Sequence, residues 1–130
     1  MHFISNIIFI ALALGTCVSA FRIGSFNLHQ YGAKKSANAT VTNVIAEIIS
    51  GFDLAIIQEI SDVSLKAPYV LFDTLNQISV DPYTMYLSDR AGRSATKEQF
   101  IFFNREATSG VEHVETYMFD DVNDLFERPP

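Results

Sequence analysis

The chain has a single cysteine, Cys17, and it lies among the first 20 of the 130 residues. No disulfide can therefore form within residues 21–130, where stability must come from a packed core, metal ions or a partner. Positive charge is also scarce: Lys and Arg number 9 against 15 Asp and Glu, a net charge of -6. Such a balance disfavours polyanion binding by bulk electrostatics, so any nucleic-acid role falls to a few local cations and a bridging metal. Residues 1–20 hold no Asp, Glu, Lys or Arg, so the whole net charge belongs to the remainder. Internal repeats, low-complexity tracts and interdomain linkers are absent as well. What remains, 48% apolar and 18% charged residues, suits one globular domain and excludes disordered and fibrous classes.

Residues 3–14 form an apolar run, and Val18-Ser19-Ala20 ends in small residues at the expected cleavage positions. This predicts a signal peptide over residues 1–20 and a secreted chain starting at Phe21. The alternative, an uncleaved membrane anchor, fits less well because the run is short and weakly flanked; its start offers only the amino group and His2. Asn38-Ala39-Thr40 is a glycosylation sequon that also reads as an ordinary polar loop.

Two apolar runs end in polar groups: residues 21–27 close on Asn27, and residues 53–59 close on Gln58 and Glu59. A buried strand that stops in an amide or a carboxylate commonly delivers it to a site. On adjacent strands Asn27 and Glu59 would lie side by side, and a carboxylate with an amide oxygen suits a hard cation such as Mg2+ or Ca2+. A strand-end carboxylate facing solvent is the plainer reading of Glu59. Between the runs, residues 29–36 form a polar loop, then Val41, Val44, Ile45, Ile48 and Ile49 recur at helical spacing. The spacing predicts a helix capped by Thr40 or Thr42 and stopped by Gly51, with Thr42, Asn43, Ala46 and Glu47 on its outer side. Strand, helix, strand at this length is a crossover unit within one sheet.

A second helix is expected from Leu65 or Pro68 to Gln77, with Val70, Leu71 and Leu75 inward, followed by a turn at residues 79–82. Residues 83–88 and 99–104 read as strands joined by a charged link, and residues 111–119 as a further strand. The last residues, 126–130, offer no capping element, and Pro129-Pro130 suits the approach to a strand better than a finish. The chain reads as interrupted there.

Four pieces together, Phe26-Asn27, Gln58-Glu59, the run Gly92-Arg93-Ser94-Ala95-Thr96-Lys97-Glu98-Gln99-Phe100, and Phe126-Glu127-Arg128, resemble the secreted deoxyribonuclease I family of the endonuclease/exonuclease/phosphatase superfamily. The resemblance implies an α/β fold, here the first half of a four-layer α/β/β/α sandwich and hence an incomplete domain over residues 21–130. It implies divalent-metal-dependent endonucleolytic hydrolysis of DNA, with Mg2+ and Ca2+ as cofactors and DNA as partner. Glu59 becomes the metal-binding carboxylate, and Asn27 its neighbour near metal and scissile phosphate. Glu98 becomes the carboxylate that orients a catalytic histidine. Arg93 and Arg128 become arginines near the DNA backbone, and Asn38 the glycosylation candidate.

The family's two catalytic histidines, and the aspartate paired with the second, fall beyond Pro130. His29, placed in a DNA-facing loop, and His113, a polar strand residue, match neither. The sequence also departs from the family at Ser61, often an arginine inserted in the minor groove, and at Thr96, usually a tyrosine stacking on a sugar. The short stretch 120–125 lacks the cysteine pair that some members carry. The implied outcome is a chain without appreciable nuclease activity that folds poorly alone, because the sheet's inner face awaits a second sheet. A secreted non-catalytic binding derivative is the alternative; a phospholipid or inositol phosphate esterase is disfavoured by the pattern at residues 92–98.

Overall fold

The computed structural model describes residues 20–93 and 97–128. Residues 1–19 of the expected signal peptide, Thr96 and the terminal proline pair lie outside the described residues. The elements are β1 (Ile23–Tyr31), α1 (Ala33–Ser36), α2 (Ala39–Ser50), β2 (Leu54–Ile60), α3 (Lys66–Ile78), β3 (Thr84–Leu87), β4 (Gln99–Asn104) and α4 (Glu106–Ser109). The strands form one mixed sheet in the order β1-β2-β4-β3. β1 and β2 are parallel, as their crossover through α2 requires, and β4 runs antiparallel to both β2 and β3. The class is α/β. Among the described residues no helix is long and apolar enough to cross a membrane.

One face of the sheet carries the core. Leu28 and Tyr31 of β1, Ala55, Ile57 and Ile60 of β2, and Ile101 and Phe103 of β4 are buried against Ile45, Ala46 and Ile49 of α2 and Ala67, Leu71 and Leu75 of α3. Phe103 anchors the layer, stacked on Phe72 with centroids 6.3 Å apart and meeting Tyr83 edge-on at 6.4 Å. Gly24 is required by close approach: a Cβ there would lie 2.8 Å from the Phe52 ring.

Helix α2 is rolled away from the expected face. Its buried stripe is Thr42, Ile45, Ala46 and Ile49, whereas Val44 and Ile48 are 50% and 45% exposed. Branched apolar residues surround the helix, so apolar spacing alone cannot choose a face. The choice follows from Thr42, whose hydroxyl pairs with the buried Tyr31 hydroxyl at 3.0 Å, and from Ala46, small enough to be fully covered. Neither Thr40 nor Thr42 caps the helix; Asn38 does, its Oδ1 accepting the Val41 N–H at 3.2 Å.

In α3, Leu71 and Leu75 point inward with Ala67 and Pro68, and Val70 is exposed. Its first turn is tied by Asp62, which accepts the Ala67 N–H at 2.7 Å and the Ser64 N–H at 3.0 Å. Burial works against the Asp62 charge, but these hydrogen bonds outweigh it and hold the carboxyl below the usual range.

Residues 111–119 are not a strand. Asn104 Nδ2 donates to the Val111 carbonyl at 2.7 Å, and the segment then runs irregularly, with His113 stacked on Tyr86 at 4.0 Å and lining a cavity together with residues 115–118, Phe100 and Phe102. It lies against the sheet's second face rather than along an edge, so its alternating apolar side chains find no ladder to join. Under this segment Leu54, Phe100 and Phe102 are only half-buried, and outside it Ile23 is 59% exposed and Ile56 half-buried.

Candidate active site at one end of the sheet

Parallel pairing puts the carboxyl ends of β1 and β2 together, with Asn27 opposite Gln58; antiparallel pairing brings the start of β4 to the same end, with Ile60 opposite Gln99. Asn27 of β1, Glu59 of β2 and Glu98, just before β4, are thereby brought to the same end of the sheet. Both pairings slip there, between Asn27 and Tyr31 and between Ile57 and Ile60. The core residues show why. Ile57 and Ile60, three positions apart, both face the helices, as do Leu28 and Tyr31. Strict alternation forbids this unless each strand accommodates an irregular residue.

The irregularity is carried by His29, Gln30 and Glu59, with φ of 49°, 62° and 60°. Three left-handed residues without glycine at one sheet end are an energetically unfavourable concentration of the kind found at functional sites. Lys35 supports the bulge, its Nζ donating to the Leu28 carbonyl at 2.8 Å and also to that of His29. β1 therefore runs four residues past its expected end, and His29 belongs to this bulged strand rather than to a loop.

The bulge turns Glu59 towards Asn27. Asn27 Nδ2 donates to Glu59 Oε1 at 2.8 Å, the Gln30 N–H donates to Oε2 at 3.1 Å, and Asn27 Oδ1 accepts the His29 N–H at 2.8 Å. The Asn27 amide thus presents nitrogen, not oxygen, to the carboxylate. The His29 ring Nδ1 lies 4.0 Å from Oε2. The Asn27 hydrogen bond is the largest influence on Glu59 and, with the Gln30 N–H and the fields of His29 and Arg128, outweighs burial to hold its carboxyl below the usual range. Glu59 stays ionised.

Glu98 is buried at the neck of the charged link, where its backbone exchanges hydrogen bonds with Ala91 at 2.8 and 2.9 Å. Arg128 grips its carboxylate: Nη2 donates to Oε1 at 2.9 Å, and Nε sits 2.9 Å from Oε2 as a charge contact without an aligned hydrogen bond. Arg93, on the same link, donates Nε to Asp124 Oδ1 at 2.7 Å and Nη2 to the Asp124 carbonyl. Asp124 is set in place by Asp121, whose carboxylate accepts the Leu125 and Phe126 N–H groups at 2.9 and 2.7 Å. Ser61 lines a shallow groove beside Glu59 with His29, Gln30, Gly32 and Lys34. Asn38 stands apart, exposed at the start of α2.

Gln30 and Lys35 were missed by sequence reasoning. The only local signal was the spacing of three between apolar residues, Leu28 to Tyr31 and Ile57 to Ile60, inside runs that otherwise alternate.

Among the described residues no three His, Cys, Asp or Glu side chains cluster as a metal cage. The donor set at the sheet end is one ionised carboxylate. That fits a hard cation keeping most of its water or taking phosphate oxygens, the habit of Mg2+, and does not fit zinc or copper.

No family model matches the chain. Similar relatives include several deoxyribonucleases. Deoxyribonuclease-1-like 2 of Homo sapiens is 36% identical over 118 residues, covering 91% of this chain and 38% of the relative. Deoxyribonuclease-1 of Canis lupus familiaris is 37% identical over 116 residues, covering 85% and 40%, and that of Homo sapiens is 35% identical over 135 residues, covering 100% and 47%. The chain belongs to the deoxyribonuclease I family, of which it represents a partial region. It spans between 38% and 47% of the length of these relatives.

Proposed function

We propose that this chain is the amino-terminal portion of a secreted, divalent-metal-dependent endodeoxyribonuclease. The observation that carries the reading is the Asn27–Glu59 contact of 2.8 Å, built on three left-handed residues where an ordinary strand end would be relaxed. Glu59 is the metal-binding carboxylate for Mg2+, and Asn27 and the Gln30 N–H position it. The bound cation supplies neutralisation of the non-bridging phosphate oxygens and polarisation of a water for in-line attack. Glu98 is the carboxylate that orients a catalytic imidazole. Arg93 and Arg128 recognise backbone phosphates as planar cations. Ca2+ is the second cofactor, with no all-protein cage among the described residues. Residues 1–20 direct secretion, and Asn38 carries a glycan whose attachment leaves the capping oxygen in place.

The half-buried second face, with Ile23, Leu54, Ile56, Phe100 and Phe102 and only the irregular segment 111–119 laid on it, receives a second sheet in a four-layer sandwich that this region alone does not complete. No imidazole accompanies Glu98 among the described residues; His29 lies against Glu59, and His113 stacks on Tyr86. This region alone is therefore inactive. Incubated with supercoiled plasmid, Mg2+ and Ca2+, it should leave the DNA intact, and nicking that vanishes in Glu59→Ala would contradict this. The second reading, a secreted non-catalytic binding derivative, is favoured by the pairing of both recognition arginines with carboxylates. Appending the downstream region of a relative, with its catalytic histidines, distinguishes the two. Restored, Glu59-dependent nicking supports the enzyme, and binding without nicking supports the derivative.

A further inference from the structure

The cation placed to grip a phosphate at this site is already gripping a carboxylate. Arg128 turns the edge formed by Nε and Nη2 towards Glu98, with both nitrogens 2.9 Å from a carboxylate oxygen. That edge is the one a guanidinium uses to fork two oxygens of a phosphate. The pair is sheltered, the Glu98 side chain 10% and that of Arg128 35% exposed. Nε is also buried without an aligned hydrogen bond, so the carboxylate does not saturate it. Arg93 differs: its partner Asp124 is 76% exposed, and solvent screens their attraction.

We propose that Glu98 is an internal competitor for the DNA backbone, holding Arg128 in a latch that a phosphate must open by taking over the same guanidinium edge. Opening leaves Glu98 buried without its countercharge, and that penalty is subtracted from DNA affinity. It also frees both Glu98 oxygens for an imidazole N–H, so phosphate capture and the readiness of Glu98 become linked, and the linkage is reciprocal. Arg93, in an exposed and weak pair, exchanges first; Arg128 exchanges only where the DNA supplies enough other contacts. The inference rests on DNA being the ligand.

The test measures binding of a short fluorescent DNA duplex to the whole chain, without divalent metal, as a function of salt. Glu98→Gln keeps the side-chain shape and removes the charge that holds Arg128. It should bind about three- to tenfold tighter, with a salt dependence steeper by roughly one released counterion, a slope change of about 0.9. Arg128→Gln should bind more weakly than the unaltered chain, because it removes the cation that the phosphate recruits from the latch. The double variant should lose the gain of Glu98→Gln. A Glu98→Gln variant that binds no tighter, a gain that persists in the double variant, or duplex binding by none of the proteins would each overturn the latch. None of these touches the metal role of Glu59, which is measured separately by cation binding.

A second measurement needs no variant. In the unaltered chain titrated with inorganic phosphate, the Arg93 Nε–H NMR signal should shift at lower phosphate than that of Arg128. The opposite order overturns the proposal.

Discussion

Strand β2 begins and ends at a carboxylate, and the two ends could hardly differ more. Asp53 stands just before the strand, its side chain 6% exposed, accepting the Arg22 N–H at 2.8 Å and the Thr108 hydroxyl at 2.6 Å. Arg105 Nη1 lies 3.8 Å away, and its guanidinium also donates to the Ser50 carbonyl at 2.6 Å and covers the Tyr83 ring at 4.7 Å. These contacts tie the starts of β1 and β2 to each other and to the helices and the α4 turn. Glu59 has a side chain 28% exposed, faces an amide and a backbone N–H rather than a paired cation, and sits on left-handed backbone. The first carboxylate is satisfied by the fold. The second is held by an amide and a backbone N–H and is the more exposed of the two.

Breaking the two ends should separate stability from ligand binding. The largest effect on stability is expected from Asp53→Ala, which leaves the largely buried Arg105 without its countercharge. A loss of about 3–5 kcal/mol is typical of such a broken pair and would show as a shifted urea midpoint. Glu59→Gln should leave that midpoint within about 1 kcal/mol of its original position, as for a partly exposed group, and abolish divalent-cation binding. Equal destabilisation by both would erase the distinction. Asn27→Ala comes next: it removes the group that orients Glu59 and should weaken cation binding about 10- to 100-fold, read by calorimetric titration.

Acid should act unequally on the two ends. The Thr108 and Arg22 hydrogen bonds, against the opposing effect of burial, hold the Asp53 carboxyl below its ordinary value. A folded-state value below the unfolded one, which lies at about 3.9, means that this stability is fully present at neutral pH. It is lost as pH falls below about 4 and through the folded-state value. Asp53→Asn should flatten that acid limb. Glu59→Gln should flatten it less, since its lowered carboxyl has the same sign but a more open setting. The smallest effect is expected from Gln30→Gly, which keeps the N–H bonded to Glu59 at φ 62° and relieves a left-handed residue. It should stabilise the chain by up to about 1 kcal/mol, with cation binding intact.

Much of this was legible in the sequence because it is written in local pattern. The two apolar runs ending at Asn27 and Glu59 gave a parallel pair, the α/β class, and the proximity of those two side chains. α2 was placed, but its face was not, because Val41, Val44, Ile45, Ile48 and Ile49 offer two overlapping stripes and the choice falls to a Tyr31–Thr42 hydroxyl pair. Residues 111–119 alternate as a strand does, yet alternation without an available ladder yields only a segment laid on a face. The polar contacts of the site were the least visible. Glu98 meets Arg128 across 30 residues and Arg93 meets Asp124 across 31, and no local pattern announces a pair at that separation. The bulge at residues 29–30 likewise follows from packing on both sides of it.

The most direct measurement is a titration of the whole chain with Mn2+, a paramagnetic stand-in for Mg2+ at oxygen ligands, followed by backbone NMR. Broadening should centre on Asn27, Gln30 and Glu59, spare the Arg22–Asp53 end of the sheet, and disappear in Glu59→Gln. Broadening centred on Asp121 and Asp124 alone, or unchanged in Glu59→Gln, would contradict a metal site at the end of β2.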